Sequence, residues 1–264
     1  MTSLRPRTVL RLLLASTAVG ILVLSAPTIE QEPDTGLRVT LNPSLGTSGW
    51  DLETSDARAS LVNLGSSLAC TVGGFDAPTH YARARRKLPE TDDFAAQSSF
   101  VITAEIELPP DFYERNESYV RFITTDNYPG KMRSTGAIVG AASSDEWRVG
   151  FLMYNSDKLP RLQSDHEGHQ TLTLWQGDRR LPVGLNRIEI RVIPSQTDTG
   201  SYTVALNGRM VGHQTGVQTV PSTLTASEMM VTRVGGCLDG AANQRSKSMT
   251  VRLHWLTFSA ERPS

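Results

Sequence analysis

Between Phe100 and Leu108 the chain reads Phe-Val-Ile-Thr-Ala-Glu-Ile-Glu-Leu, and this run fixes the local backbone more firmly than any other stretch. Phe100, Ile102, Ala104, Ile106 and Leu108 share one side at period two, while Thr103, Glu105 and Glu107 point the other way, as in a half-buried β-strand. Pro109-Pro110 ends it, because neither ring nitrogen can donate to a ladder. Further strands are expected at Leu159–Ser164, Ser118–Thr125, Thr135–Ala142, Trp147–Tyr154, Gln170–Gln176, Asn186–Ile193, Ser201–Leu206, Arg209–His213, Met229–Val234 and Thr250–Ser259. Their spacing of roughly ten residues, with Gly, Pro, Asn or Asp between them, is that of an antiparallel sandwich or barrel. Asn207-Gly208 between two apolar runs is the strongest short hairpin signal. Only Asp111–Glu117 and Ser222–Met229 suit a turn or two of helix, and no repeat of fixed period appears.

Such a sheet protein needs a compartment, and the N-terminus suggests one. Arg5, Arg7 and Arg11 precede an uncharged apolar run from Leu12 to Ile29, the layout of an export signal. Ser25-Ala26 offers small residues for cleavage, but Pro27 follows at once and hinders it. Residues 1–29 are therefore read as a signal peptide or as an uncleaved membrane anchor, an N-terminal hydrophobic helix in either case. Residues 30–48 read as a linker and residues 49–264 as one β-sandwich domain. The expected location is extracellular or at the cell surface, with the membrane touched only through the N-terminal segment. The whole chain has 26 Lys+Arg against 27 Asp+Glu, a net charge of −1; without the three N-terminal arginines it falls to −4. That balance excludes nucleic acid as a partner bound by phosphate neutralisation.

Cys70 and Cys237 are the only cysteines. An exported chain meets an oxidising environment, so they are expected to pair; the alternative is two separately buried thiols. Pairing would tie the start of the domain to its end, as when first and last strands are neighbours in one sheet.

Leu181–Val192 followed by Gly200–Arg209, with the closing strand Thr250–Phe258, resembles the concanavalin A-like lectin/glucanase superfamily. The resemblance covers about 35 residues and is one of fold, shared with laminin-G-like modules, glucanases and several polysaccharide lyases. It implies an all-β, two-sheet antiparallel jelly roll of twelve to fourteen strands, with an oligosaccharide held on a concave sheet face. Glucanases of this group resemble Glu-x-Asp-x-(x)-Glu, but Glu105-Ile106-Glu107-Leu108 lacks the Asp and the third carboxylate, so these two read as solvated glutamates. Lyases of this scaffold carry Arg-Glu-Arg, Gln-x-His and Tyr-Lys-x-Gly-x-Tyr elements, and none is intact here.

The residues that suit a glycan are basic and aromatic. Tyr81, Arg83 and Arg85 alternate on one strand, and Arg121, Arg148 and Trp175 sit in others. Arginine forks match carboxylates and aromatic faces stack on sugar rings, so Arg83, Arg85, Arg121, Arg148 and Trp175 are the candidate ligand-binding set for an acidic polysaccharide. Arg83 and Arg148 are read as lacking an acidic cross-strand neighbour. Asp165-His166-Glu167-Gly168-His169 is read as a hairpin tip. His166, His169 and Tyr154 are the candidate catalytic groups, a His serving as the base a lyase needs beside a uronate carboxylate. No cofactor is expected beyond a structural Ca2+, for which Asp165, Asp198 and Asp239 are the candidate ligands. With no catalytic motif intact, the sequence favours a non-catalytic glycan-binding or surface-interaction module over an enzyme. The alternatives are a polysaccharide-degrading enzyme, lyase-type or glycoside hydrolase, and a structural envelope protein.

Overall fold

A computed structural model describes residues 37–55, 57–73, 79–88, 99–115, 119–127, 147–153, 157–166, 170–223, 233–241 and 248–260; for 79–80, 115, 119–127, 147, 233 and 239–241 the description is of backbone alone. The signal or anchor segment, the expected strand Thr135–Ala142, Tyr154 and His169 lie outside these residues.

Fifteen strands are described, and every pairing is antiparallel. They are β1 Leu37–Leu41, β2 Asp51–Thr54, β3 Ser60–Asn63, β4 Leu68–Val72, β5 Thr79–Lys87, β6 Phe100–Leu108, β7 Tyr119–Asn127, β8 Trp147–Met153, β9 Pro160–His166, β10 Gln170–Gln176, β11 Gly184–Ile193, β12 Gly200–Leu206, β13 Arg209–Val217, β14 Arg233–Ala241 and β15 Met249–Ala260. One sheet has eight strands, in the order β13-β12-β11-β6-β15-β4-β3 with β1 also on β15; the other has seven, β10-β9-β8-β7-β14-β5-β2. The single α-helical turn described, α1 Phe112–Arg115, lies in the expected Asp111–Glu117.

The alternation of β6 is the alternation of its burial: the five apolar positions are buried and the four between them are half-exposed. β11 repeats the pattern with Asn186, Ile188, Ile190 and Val192 inside. These side chains meet Ala82, Ala84, Val149, Phe151 and Leu162 of the other sheet in one continuous core. Burial of each Val, Leu, Ile or Phe contributes about 1.5–3 kcal/mol.

Cys70 of β4 and Cys237 of β14 are bonded, with Cα atoms 6.2 Å apart. The pair joins the two sheets across the core; it does not link neighbours within one sheet, because β4 and β14 belong to different layers. A bulge in β14 against β7 lies between Gly236 and Asp239, and Cys237 has φ 148° there. It puts both Cys237 and Leu238 inside, at 1% and 0% exposure.

Two boundaries depart from expectation. The stretch 30–48 contains β1 and a 3-10 turn at Pro43–Leu45, so its second half belongs to the sandwich; Val39 and Leu41 supply the buried side of β1. The strand expected at Met229–Val234 overlaps β14, which continues to Ala241; residues 229–232 lie outside the described residues. β14 runs on through Gly235-Gly236: a Cβ at Gly235 would lie 2.7 Å from the Ala84 carbonyl oxygen and 3.0 Å from Arg85 Cγ, so the strand needs glycine there.

Candidate functional site

The side of the seven-stranded sheet turned away from the core carries three rows of cross-strand positions. The middle row runs unbroken over all seven strands: Asp51, Arg85, Gly235, Thr124, Gly150, Gln163, Thr173. Two glycines leave low ground between Arg85 and Gln163. Both of these are buried, at 8% and 7% exposure, although they face away from the core. Arg85 lies along Gly235, and Gln163 Nε2 donates to Thr173 Oγ1 at 3.1 Å.

Beside Arg85 stands Arg83, whose Nε donates to Glu53 Oε2 at 3.0 Å and whose guanidinium lies 4.0 Å from the centre of the Tyr81 ring. Arg85 Nη1 is 3.9 Å from the same Glu53 oxygen. One carboxylate thus holds two arginines in a fixed fork. Arg83 therefore has the acidic cross-strand neighbour that β5 alone does not reveal.

A second row reads Lys87, Arg233, Asp126, Arg148, Asp165, Thr171. Arg148 stands in register between two aspartates, and Arg148 and Asp165 are both engaged, which corrects the reading of Arg148 as unneighboured. The third row reads Tyr81, Asp239, Arg121, Leu152, Arg161, Gln176. Arg161 Nε donates to Gln176 Oε1 at 3.0 Å, and its other nitrogens grip the Asp157 carboxylate. Desolvation opposes ionisation of Asp157, but the Leu159 amide and the Arg161 guanidinium outweigh it and hold the carboxyl below its ordinary value.

Of the sequence candidates, Arg83, Arg85, Arg148 and Asp165 gather on this face, and Arg121 and Asp239 occupy backbone positions in its third row. His166 does not join them. On β9 it alternates with Asp165 and faces inward at 4% exposure, its Nδ1 2.8 Å from Thr223 Oγ1. Trp175 is also elsewhere: a bulge in β10 turns it toward the core, where it stacks on Phe151 and donates from Nε1 to the Val211 carbonyl at 3.2 Å. Its ring lies over Gly212, where a Cβ would come within 2.3 Å of it. Asp198 is in the exposed turn between β11 and β12, apart from the face. Among the described residues no group of three or more His, Cys, Asp or Glu gathers as a metal site. Glu105 and Glu107 lie on the outer side of the other sheet. There Glu107 accepts from Arg252 at 3.2 Å and lies 3.1 Å from His254 Nε2, contacts that make an ion-pair cluster and no hydrolytic pair.

Sequence reasoning missed Glu53, Arg161 and Gln163. The signal for the last two is present as Arg161-x-Gln163-x-Asp165, one polar side of β9. Glu53 had no local signal, being thirty residues from Arg83.

No family model matches the sequence, and a search of curated proteins finds no match. Solved structures do match. An endo-β-1,4-glucuronan lyase from the fungus Trichoderma reesei superposes with TM-score 0.58 at 13% identity, over 87% of this chain and 96% of that one. An alginate lyase gives 0.55 at 8% identity over 86% and 98%. An alginate lyase of polysaccharide lyase family 7 gives 0.51 at 10% identity over 84% and 100%. The fold is the concanavalin A-like jelly roll. On this jelly roll the resemblance read from Leu181–Val192 and Gly200–Arg209 corresponds to β11 and β12 with the start of β13, and the closing strand to β15.

Proposed function

We propose that this is an exported protein that acts on an acidic, uronate-bearing polysaccharide along the outer face of the seven-stranded sheet, as a lyase. The observation that carries the reading is the unbroken row from Arg85 to Gln163. Arg85 beside Glu53 and Gln163 bonded to Thr173 are held at fixed places along that row, so their polar groups are preorganised for a carboxylate. A jelly roll similar to those of glucuronan and alginate lyases supports the same reading.

In a uronate lyase a base removes the proton beside the carboxylate. The electron pair of the broken C–H bond forms the new C=C bond, and the glycosidic oxygen leaves with the pair of its broken C–O bond and takes up a proton. The proton is hard to remove while the carboxylate keeps its charge. A guanidinium about 4 Å away lowers the energy of the developing dianion by about 4 kcal/mol at an effective dielectric of 20. Arg85, held by Glu53, and Gln163, held by Thr173, are the groups we assign to that carboxylate. Tyr154 and His169 are the proposed base candidates; His166, directed inward, is not.

Non-catalytic retention of the same polymer is the second reading, favoured by the inward direction of His166. The assay is ultraviolet absorbance of unsaturated uronate ends on glucuronan and alginate, run beside affinity electrophoresis in the same polymers. A rise in absorbance that Arg85→Met abolishes supports the lyase. Retention without absorbance supports the binding module, and the absence of both rules out an acidic polysaccharide as the ligand.

A further inference from the structure

A cleft of about 500 Å³ opens where the edge strands β10 and β13 of the two sheets meet. The β10–β11 connection forms one wall and the Asn207-Gly208 hairpin the other. Its lining carries Arg179, Arg180 and Arg209 against one acid, Asp178. Arg179 and Asp178 lie 3.8 Å apart with 86% and 90% of their side chains exposed, so water screens the pair and the acid neutralises little. Arg180 is braced by stacking 5.3 Å from the centre of the Tyr113 ring. The apolar part includes Trp175, Leu206, Val211 and Met210, the last 62% exposed on an edge strand. Positive charge beside an apolar wall suits a carboxylated sugar, with its charged edge and its flat hydrophobic side.

One residue joins this cleft to the face described above. Gln176 ends the third row opposite Arg161 and also lines the cleft. We infer that the cleft is a distal subsite for the same acidic polysaccharide, taking a uronate further along the chain than the units on the sheet face. The inference rests on the acidic-polysaccharide reading and extends it: Trp175, packed on Phe151 and over Gly212, shapes the wall, and exposed Met210 offers the apolar surface beside the arginines. A distal subsite makes affinity rise with chain length until a chain reaches from the face into the cleft.

The test compares the full exported chain with the R179A/R209A variant in titrations with oligoglucuronates and oligomannuronates of increasing length, with polyphosphate as competitor. Both arginines are exposed, so the melting temperature should not move. The expected result is unchanged affinity for the shortest binding oligomers and a loss on the order of tenfold or more for long ones. Equal affinity of variant and parent for every length overturns the subsite; so does displacement by polyphosphate as effective as by uronate, which would make it a general anion site. If the parent binds no acidic saccharide at all, the functional reading fails and the subsite with it. If Arg85→Met abolishes binding while R179A/R209A leaves it intact, the subsite alone fails.

Discussion

The two outer faces of the sandwich are written in the same alternating code and treat their charges differently. On the eight-stranded sheet, Glu107 meets Arg252 and His254 with 30%, 48% and 23% of the side chains exposed. On the seven-stranded sheet, Glu53 meets Arg83 and Arg85, and the two arginines are at 15% and 9%. Ion pairs in water contribute little, whereas a desolvated charge that loses its partner is left with an uncompensated penalty. The first face is therefore a solvated surface and the second a constructed one. The difference teaches that exposure, more than the count of charges, decides what an ion pair on an outer face contributes.

Four experiments break or sharpen that contrast. The largest effect belongs to neither face: replacing Cys70 and Cys237 together by serine should cost about 2–5 kcal/mol in denaturant unfolding, because the bridge closes a long loop and joins the layers. A loss under 1 kcal/mol would mean that the sheets are held by the apolar core alone. Next, Glu53→Gln should destabilise by about 1–3 kcal/mol, leaving buried Arg85 and half-buried Arg83 short of a charge. Glu107→Gln should cost about 0–1 kcal/mol. Equal costs would erase the distinction between the faces.

The third experiment is a pH series. The hydrogen bond from His254, with help from Arg252 and against desolvation, holds the Glu107 carboxyl below its ordinary value of 4.5. A depressed folded-state pKa gives stability that is present above the unfolded value and lost as pH falls through the folded one. Parent and Glu107→Gln melting curves should therefore differ above that value and converge below it; a gap that widens with acid would reverse the sign. The smallest effect is expected for Arg252→Ala, within about 0.5 kcal/mol at neutral pH, because its guanidinium lies in water.

What the sequence made legible was period. β6, β11, β12 and β15 follow directly from apolar alternation, and Asn207 and Gly208, at φ 52° and 78°, form the tight turn their identities announce. What stayed hidden was register. Whether Arg83 has an acid beside it depends on which residue of β2 stands opposite, and a one-residue slip would exchange faces. Bulges hid two more facts. One turned Trp175 from a sugar platform on the arginine face into the seam of the two sheets, and another turned Cys237 inward beside Leu238. The end expected at Val234 fell short because at Gly235 the absent side chain makes room for an arginine stem and β14 continues.

β15 is the twelve-residue C-terminal strand, and it is also central: β6 lines one edge of it while β4 and then β1 line the other. The eight-stranded sheet therefore lacks its middle until residues 249–260 are available. β1, near the beginning of the described chain, has Val39 opposite Phe258, 219 residues ahead, and cannot dock until that strand exists. Such non-local closure is slow compared with local pairing. Until that longest strand inserts, the facing edges of β6 and β4 stay unpaired, open to any other strand that reaches them.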